Sequence, residues 1–130
     1  MPEPPLTRSV HLAAEVTAPR SARDFLAAAC SAWHTEWLSA TAGLALSELV
    51  SNAVLHAGTD LDVELRLGDG WLRLSVHDGS PVLPLPRQHE PGAFGGHGLD
   101  FVSRLADSWG VAPGPDGGKT VWCALRADKR

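Results

Sequence analysis

The sequence predicts an α+β domain in which helices come first and a sheet follows. Over residues 19–57, apolar residues recur at intervals of three and four, which is the spacing of one side of a helix. From residue 61 the period changes to alternation of apolar and polar residues, as in half-buried strands. With 130 residues and 44% hydrophobic content, the chain has the size of one domain that buries on the order of two-thirds of its unfolded surface.

The first half of the chain contains the predicted helices. Residues 1–8 form a proline-rich lead that we expect to be disordered or extended, and residues 9–16 form a candidate edge strand. Residues 19–33 predict a first helix, because proline is tolerated in the first helical turn and apolar residues line one side. Residues 39–57 predict a second helix, and Gly58 is its expected C-terminal cap.

The second half contains the predicted sheet. Alternating residues on both sides of Asp69-Gly70 predict a β-hairpin, since this dipeptide favours a tight turn. Residues 80–98 include four prolines and four glycines, and a loop this long and irregular is usually functional or mobile. Helical spacing resumes after the glycines, and two strands close the chain. No linker marks a second domain, so residues 9–127 are predicted to form one domain and residues 128–130 a tail.

Charge and cysteine content limit the classes of function. The net charge is −4 and the 11 basic residues are scattered, so the chain lacks the electrostatic footprint of a nucleic-acid-binding protein. Cys30 and Cys123 lack metal-ligand spacing and a disulfide pattern, which favours core positions and a reducing, cytoplasmic environment. No signal-like amino terminus is present, and no apolar run approaches the ~20 residues that span a bilayer, so we expect no membrane association.

The second predicted helix carries a polar stripe. Glu48, Asn52 and His56 are four residues apart and share one side, roughly opposite the apolar residues that would face the core. A carboxylate can accept a proton or hold a water, and an amide oxygen can reach Mg²⁺, which prefers oxygen ligands. The stripe is compatible with a ligand site, but a solvated helix face is the more frequent explanation of such a segment taken alone.

Two further motifs are compatible with a ligand site. Asp78 ends a predicted strand and Gly79 follows it, where we expect a sharp turn. A carboxylate there can accept a hydrogen bond from a ligand's amino group, although an Asp-Gly pair after a strand is most often only a turn. A glycine cluster at residues 95–98 opens directly into a helix, which indicates either a phosphate cradle or a flexible hinge.

Other catalytic and metal motifs are excluded or weak. The segment at residues 114–120 lacks the glycine spacing and the following helix of a phosphate-binding P-loop. It more simply begins the last strand, where the Thr120 hydroxyl would point inward beside Asp78. The histidines and cysteines do not show the spacing of a structural zinc site, and no Gly-x-Ser-x-Gly motif supports a serine hydrolase.

Taken together in chain order, the three motifs resemble the N, G1 and G2 boxes of the GHKL ATPase superfamily. They are Glu48-x-x-x-Asn52, Asp78-Gly79 and Gly96-x-Gly98-Leu99. Residues 19–125 are similar to the stand-alone anti-sigma factor serine/threonine kinases and related single-domain ATP-binding regulators of actinobacteria. This resemblance implies a two-layer α+β sandwich, in which helices cover one face of a mixed sheet and ATP and Mg²⁺ occupy a pocket.

The resemblance also implies roles for individual residues. Asn52 would coordinate Mg²⁺ and Glu48 would act as the base toward an incoming hydroxyl. Asp78 would accept a hydrogen bond from the adenine amino group, supported by Gly79 and Thr120. His97 stands where many relatives have arginine. The residues that the resemblance assigns to ATP binding are Asn52, His56, Asp78, Gly79, Gly95, Gly96, His97, Gly98, Leu99 and Thr120.

The function that this resemblance implies is an ATP- and Mg²⁺-dependent protein serine/threonine kinase. Such a protein would bind a sigma factor and phosphorylate a STAS-type anti-sigma factor antagonist, and relatives commonly form homodimers. The alternative is a catalytically inactive ATP-binding regulatory module that acts by protein sequestration.

Overall fold

A computed structural model describes residues 3–82 and 98–128 of the chain. A sheet of five strands is combined with three α-helices, which confirms the predicted α+β class. In chain order the elements are β1 (Leu6–Leu12), α1 (Ala18–Ala32), a 3₁₀ turn (Glu36–Leu38), α2 (Ser39–Asn52), a π-helical turn (Ala53–Ala57), β2 (Leu61–Gly68), β3 (Trp71–Asp78), α3 (Gly98–Leu105), β4 (Ser108–Pro113) and β5 (Lys119–Arg126).

The strands follow the order β1-β2-β3-β5-β4 and every neighbouring pair is antiparallel. The prediction of a mixed sheet is therefore wrong for the described strands. The connection through α3 does join two strands of the same direction, since β3 and β4 are both antiparallel to β5. However, β5 lies between them, so no parallel pair forms.

The core lies between the helices and one face of the sheet, which we call the inner face. Alternate residues of β2, β3 and β5 are buried there, including Leu65, Leu74 and Cys123. The other face, which we call the outer face, carries the intervening residues such as Arg73 and Ser75, which are exposed or half-buried. Cys30 is buried as predicted, and burial raises the pKa of the Cys123 thiol to about 12.

The predicted helices are confirmed with one change of geometry. The first occupies Ala18–Ala32 with proline in its first turn, and α3 begins at Gly98. The second extends over the predicted span, but its last turn, Ala53–Ala57, is π-helical. It ends at Gly58, whose φ of 69° is the left-handed conformation of a C-terminal cap.

The strands also match the sequence, apart from the bounds of β1. The Asp69-Gly70 turn has positive φ at both residues, 55° and 82°, as a tight hairpin turn requires. The edge position of β1 is confirmed, but the strand occupies Leu6–Leu12 instead of residues 9–16, so residues 6–8 of the expected lead belong to the sheet. The predicted loop lies largely outside the described residues.

The helical stretch Glu36–Ala57 is long and apolar enough to cross a membrane by length and composition. The expectation that no apolar segment reaches this length was therefore too strict. Within the stretch, Ala42, Ala45, Leu46 and Val50 are fully buried, and α2 packs on β3 and β5. This is the pattern of a core helix of a folded domain.

Candidate functional site

A buried ion pair lies on the inner face where β3 ends and β5 begins. Asp78, the last residue of β3, is directly opposite Lys119, the first residue of β5. The Lys119 Nζ donates a hydrogen bond to Asp78 Oδ1 at 2.9 Å, and the two side chains are only 7% and 2% exposed. The sequence motif pointed to the Asp78 carboxylate but not to the Lys119 ammonium group.

The surrounding backbone holds this ion pair in place. The Ser80 N–H donates to Asp78 Oδ1 at 2.9 Å, and Lys119 Nζ also donates to the Ser80 carbonyl oxygen at 3.3 Å. Both hydrogen bonds that the structure shows on the Asp78 carboxylate therefore go to Oδ1. Oδ2 faces no described donor within hydrogen-bonding distance, so it is the oxygen that a ligand's amino group would find available.

Gly118 and Gly79, the two glycines near the ion pair, differ in how much room the surrounding atoms leave for a side chain. A Cβ at Gly118 would collide with the Asp78 carbonyl oxygen, so only glycine allows the β4–β5 turn to approach the end of β3 this closely. Gly79 does not adopt a left-handed φ, and a Cβ there would make ordinary contact with Thr59 at 3.6 Å. The chain does bend at Gly79, as expected, but the bend needs no left-handed φ. The Gly79 N–H donates to the Thr59 hydroxyl at 2.9 Å, a second contact that the sequence did not reveal.

The polar stripe lies on α2, the helix that packs on β3 and β5. Glu48 and Asn52 are one helical turn apart and half-buried, and the Glu48 Oε1 atom is shielded from solvent. The Asn52 carboxamide makes no hydrogen bond within the part of the chain that the structure describes, so its oxygen can serve a ligand. His56 is exposed in the π-helical turn, where the altered period takes it off the ideal four-residue stripe.

A metal ion in this site would need most of its ligands from water or a substrate. Residues 3–82 and 98–128 contain no group of three or more His, Cys, Asp or Glu side chains that could hold a metal ion. Mg²⁺ usually takes few protein ligands and completes its octahedron with water and substrate phosphates. The donor set fits that mode, with Asn52 as the protein ligand.

The third motif opens α3, which packs against α2. Gly98 and Leu99 are the first two residues of this helix, so their position at a helix start is confirmed. Unpaired backbone N–H groups at such an end favour phosphate, by only ~0.3–1 kcal/mol per charge at an exposed site. Gly95, Gly96 and His97 lie outside the described residues.

Thr120 does not join the site. It lies opposite His77, and its Oγ1 is hydrogen-bonded to His77 Nδ1 at 3.1 Å on the outer face. The prediction that its hydroxyl points inward beside Asp78 is wrong, and Lys119 occupies that position. Val121 and Cys123 point inward in the structure, so Lys119, two residues before Val121, points inward as well.

The comparisons with known proteins agree with this arrangement. Residues 12–124 match the family described as the histidine kinase-like ATPase domain. The chain belongs to the histidine kinase-like ATPase family. This match implies ATP binding, and comparison with curated proteins gave no match.

A solved structure extends the likeness to the whole fold. It contains the RsbU and RsbW domains of Rv1364c from Mycobacterium tuberculosis, with a TM-score of 0.73 and 26% sequence identity. The alignment covers 99% of this chain and 34% of that one, so the chain spans about a third of its neighbour's length. Both findings confirm the resemblance to GHKL ATPases of the anti-sigma factor kinase type.

Proposed function

We propose that the chain binds ATP with Mg²⁺ on the inner face and transfers the γ-phosphoryl group to a serine or threonine hydroxyl of a partner protein. The observation that carries this proposal is the buried Asp78 carboxylate at the end of β3, a strand against which α2 with its Glu48–Asn52 stripe packs. α3, which begins at Gly98, packs against α2. The elements that carry the three motifs are thus linked through α2, and in this proposal the motifs form one site.

Each motif then has a distinct task. Asp78 accepts a hydrogen bond from the adenine amino group, Asn52 contributes its amide oxygen to Mg²⁺, and the backbone N–H groups at Gly98 and Leu99 hold phosphate oxygens. Bound Mg²⁺ supplies positive charge that offsets the charge of the phosphates. Phosphoryl transfer depends mainly on positioning and charge, so a site of this kind needs no unusual side chain.

In this proposal Glu48 orients the attacking hydroxyl. In the transfer step, the hydroxyl oxygen of the partner forms a bond to the γ-phosphorus while the bond to the β–γ bridging oxygen breaks. ADP leaves, and the hydroxyl proton passes to the Glu48 carboxylate and then to solvent. General-base assistance of this kind typically contributes ~10²–10⁴-fold to a rate.

The partners we propose are a sigma factor and a STAS-type anti-sigma factor antagonist in the cytoplasm. The likeness to an RsbW domain supports this choice. Phosphorylation adds about 1.5 to 2 negative charges to the antagonist. Because the chain itself carries a net charge of −4, the added charge would favour release of the phosphorylated antagonist.

The test is a transfer assay with γ-labelled ATP, Mg²⁺ and a STAS-type antagonist from the same genome. We expect the wild type to label the antagonist, Glu48→Gln to bind ATP but lose at least 100-fold in transfer rate, and Asn52→Ala to lose Mg²⁺-dependent ATP affinity. Glu64→Gln removes an exposed outer-face carboxylate as a matched control and should behave as wild type.

The outcomes separate the candidate functions. Absence of ATP binding by the wild type would contradict the proposal altogether. ATP binding with sequestration of a partner but without transfer would favour the inactive regulatory module.

A further inference from the structure

We propose that Lys119 contacts the adenine base directly. Its ammonium group donates a hydrogen bond to the ring nitrogen N1, while Asp78 Oδ2 accepts one from the neighbouring amino group. This inference rests on the proposed ATP site and adds a specificity-determining residue to it. It follows from the position of Lys119 opposite Asp78, where the sequence had suggested a threonine hydroxyl.

The first argument is the donor inventory of Lys119. A lysine ammonium group has three N–H donors. Two have partners in the structure, Asp78 Oδ1 at 2.9 Å and the Ser80 carbonyl oxygen at 3.3 Å. One donor remains, and the two existing bonds fix the nitrogen beside the carboxylate that would bind the base.

The second argument is the match between the ion pair and the edge of adenine. Adenine presents an amino donor and, on the adjacent ring atom, the N1 acceptor. Asp78 and Lys119 present the complementary acceptor and donor side by side. Guanine carries a carbonyl oxygen and an N1–H at these two positions. In the same pose its carbonyl oxygen would face the Asp78 carboxylate, and its N1–H would face the Lys119 ammonium group. Neither contact could form a hydrogen bond.

The third argument is burial. Asp78 and Lys119 are 2% and 5% exposed, and a lone carboxylate or ammonium at such a depth is costly. Each charge offsets the cost of burying the other, so the pair can form part of a pocket wall that excludes water. Hydrogen bonds from a charged donor in such surroundings are among the stronger ones.

The test is a cycle in which one atom of the ligand and one residue of the protein are changed. Calorimetry in Mg²⁺ would compare ADP with 1-deaza-ADP, which has a C–H in place of N1, for wild type and Lys119→Met. We expect wild type to bind 1-deaza-ADP at least tenfold more weakly than ADP, equivalent to ~1.4 kcal/mol. For Lys119→Met the two affinities should agree within twofold.

Two controls test whether the effect is specific to N1 and to the cationic donor at residue 119. The analogue 7-deaza-ADP lacks N7, which flanks the amino group on the side opposite N1, so both proteins should respond to it equally. Lys119→Arg retains a cationic donor and should retain the dependence on N1. Circular dichroism at the assay temperature verifies that each variant is folded, and the wild-type comparison of ADP with 1-deaza-ADP stands without any variant.

The failures of this inference and of the proposed function are distinguishable. Equal wild-type affinities for ADP and 1-deaza-ADP would overturn the role of Lys119 while leaving the ATP site intact. An equal loss in wild type and Lys119→Met would also overturn it, because another group would then contact N1. If the wild type did not bind ADP, the proposed function and this inference would both be wrong.

Discussion

His77 and Asp78 are neighbours in β3, and Thr120 and Lys119 are neighbours in β5, yet they form two pairs on opposite faces of the sheet. On the inner face, the Asp78–Lys119 ion pair is almost completely buried. On the outer face, His77 is hydrogen-bonded to Thr120 and also to Asp116, whose side chain is 60% exposed. A shift of one residue along a strand therefore exchanges a buried site for a solvated one.

The presence of a groove on the surface is not enough to locate the site. A groove of about 780 Å³ lies on the outer face, with Arg73, Ser75 and Trp122 among its lining residues. The inner face is the better candidate because its charged pair is removed from water and because α2, which carries the polar stripe, packs on the two strands that hold the pair. Electrostatic interactions are stronger there than among exposed groups, whose charges water screens.

The largest effect is expected from loss of the inner charge pair. Lys119→Met should lower the free energy of unfolding by ~3–5 kcal/mol, because the Asp78 carboxylate is left buried without its counter-charge. Urea denaturation followed by circular dichroism measures this. The double variant Asp78→Asn/Lys119→Met removes both charges and should recover most of the loss. A single variant as stable as wild type would show that the pair is solvated.

The next largest effect is expected from a change in side-chain volume on the outer face. A Cβ at Gly110 would lie 2.8 Å from the Trp122 ring on the outer face, so Gly110→Ala should destabilise by ~1–3 kcal/mol through overpacking. Gly43→Ala is the matched control, since its nearest contact is 3.9 Å away and alanine favours the helix by up to ~1 kcal/mol. Thermal unfolding of both variants measures the difference. Equal shifts would mean that the indole does not lie against Gly110.

A smaller effect is expected at Thr120. Thr120→Val removes the hydrogen bond to His77 and should cost ~0.5–1.5 kcal/mol of stability, with ADP affinity unchanged. Calorimetry alongside denaturation separates the two quantities. A large drop in ADP affinity would mean that Thr120 contacts the nucleotide, which would contradict the strand register described above.

The smallest effect concerns pH at the exposed edge. Hydrogen bonds from His11 to Asp62 and then Asp60 raise the pKa of His11 above its usual 6.5. Its stabilising contribution should be complete below pH 6.5 and disappear as pH rises through the raised pKa. Denaturation midpoints across this window should vary more in wild type than in His11→Gln. Parallel pH profiles would show that these contacts do not persist in solution.

Much of the fold follows from local sequence patterns. Helical periodicity predicts α1 and α2, the alternation around Asp69-Gly70 predicts the hairpin, and Gly58 predicts the helix end. These features depend on neighbours in sequence. The order of the strands does not, because insertion of β5 between β3 and β4 depends on long-range pairing, and the expectation of a mixed sheet consequently failed.

The candidate site, like the fold, was only partly predictable from the sequence. Asp78 and Asn52 belong to recognisable motifs, whereas Lys119 escaped notice. In β5 the two alternating sets, Val121 with Cys123 and Trp122 with Ala124, are both apolar, so hydrophobicity did not reveal which set faces the core. Only the register with β3 decides that Lys119 points inward.

The most direct test of the central claim is a map of backbone amide shifts by NMR as MgATP is added. The account predicts that the largest changes occur at Asn52, Asp78 and Lys119 on the inner side, while His77 and Trp122 on the outer face move little. Changes confined to the outer groove, or none at millimolar MgATP, would contradict it.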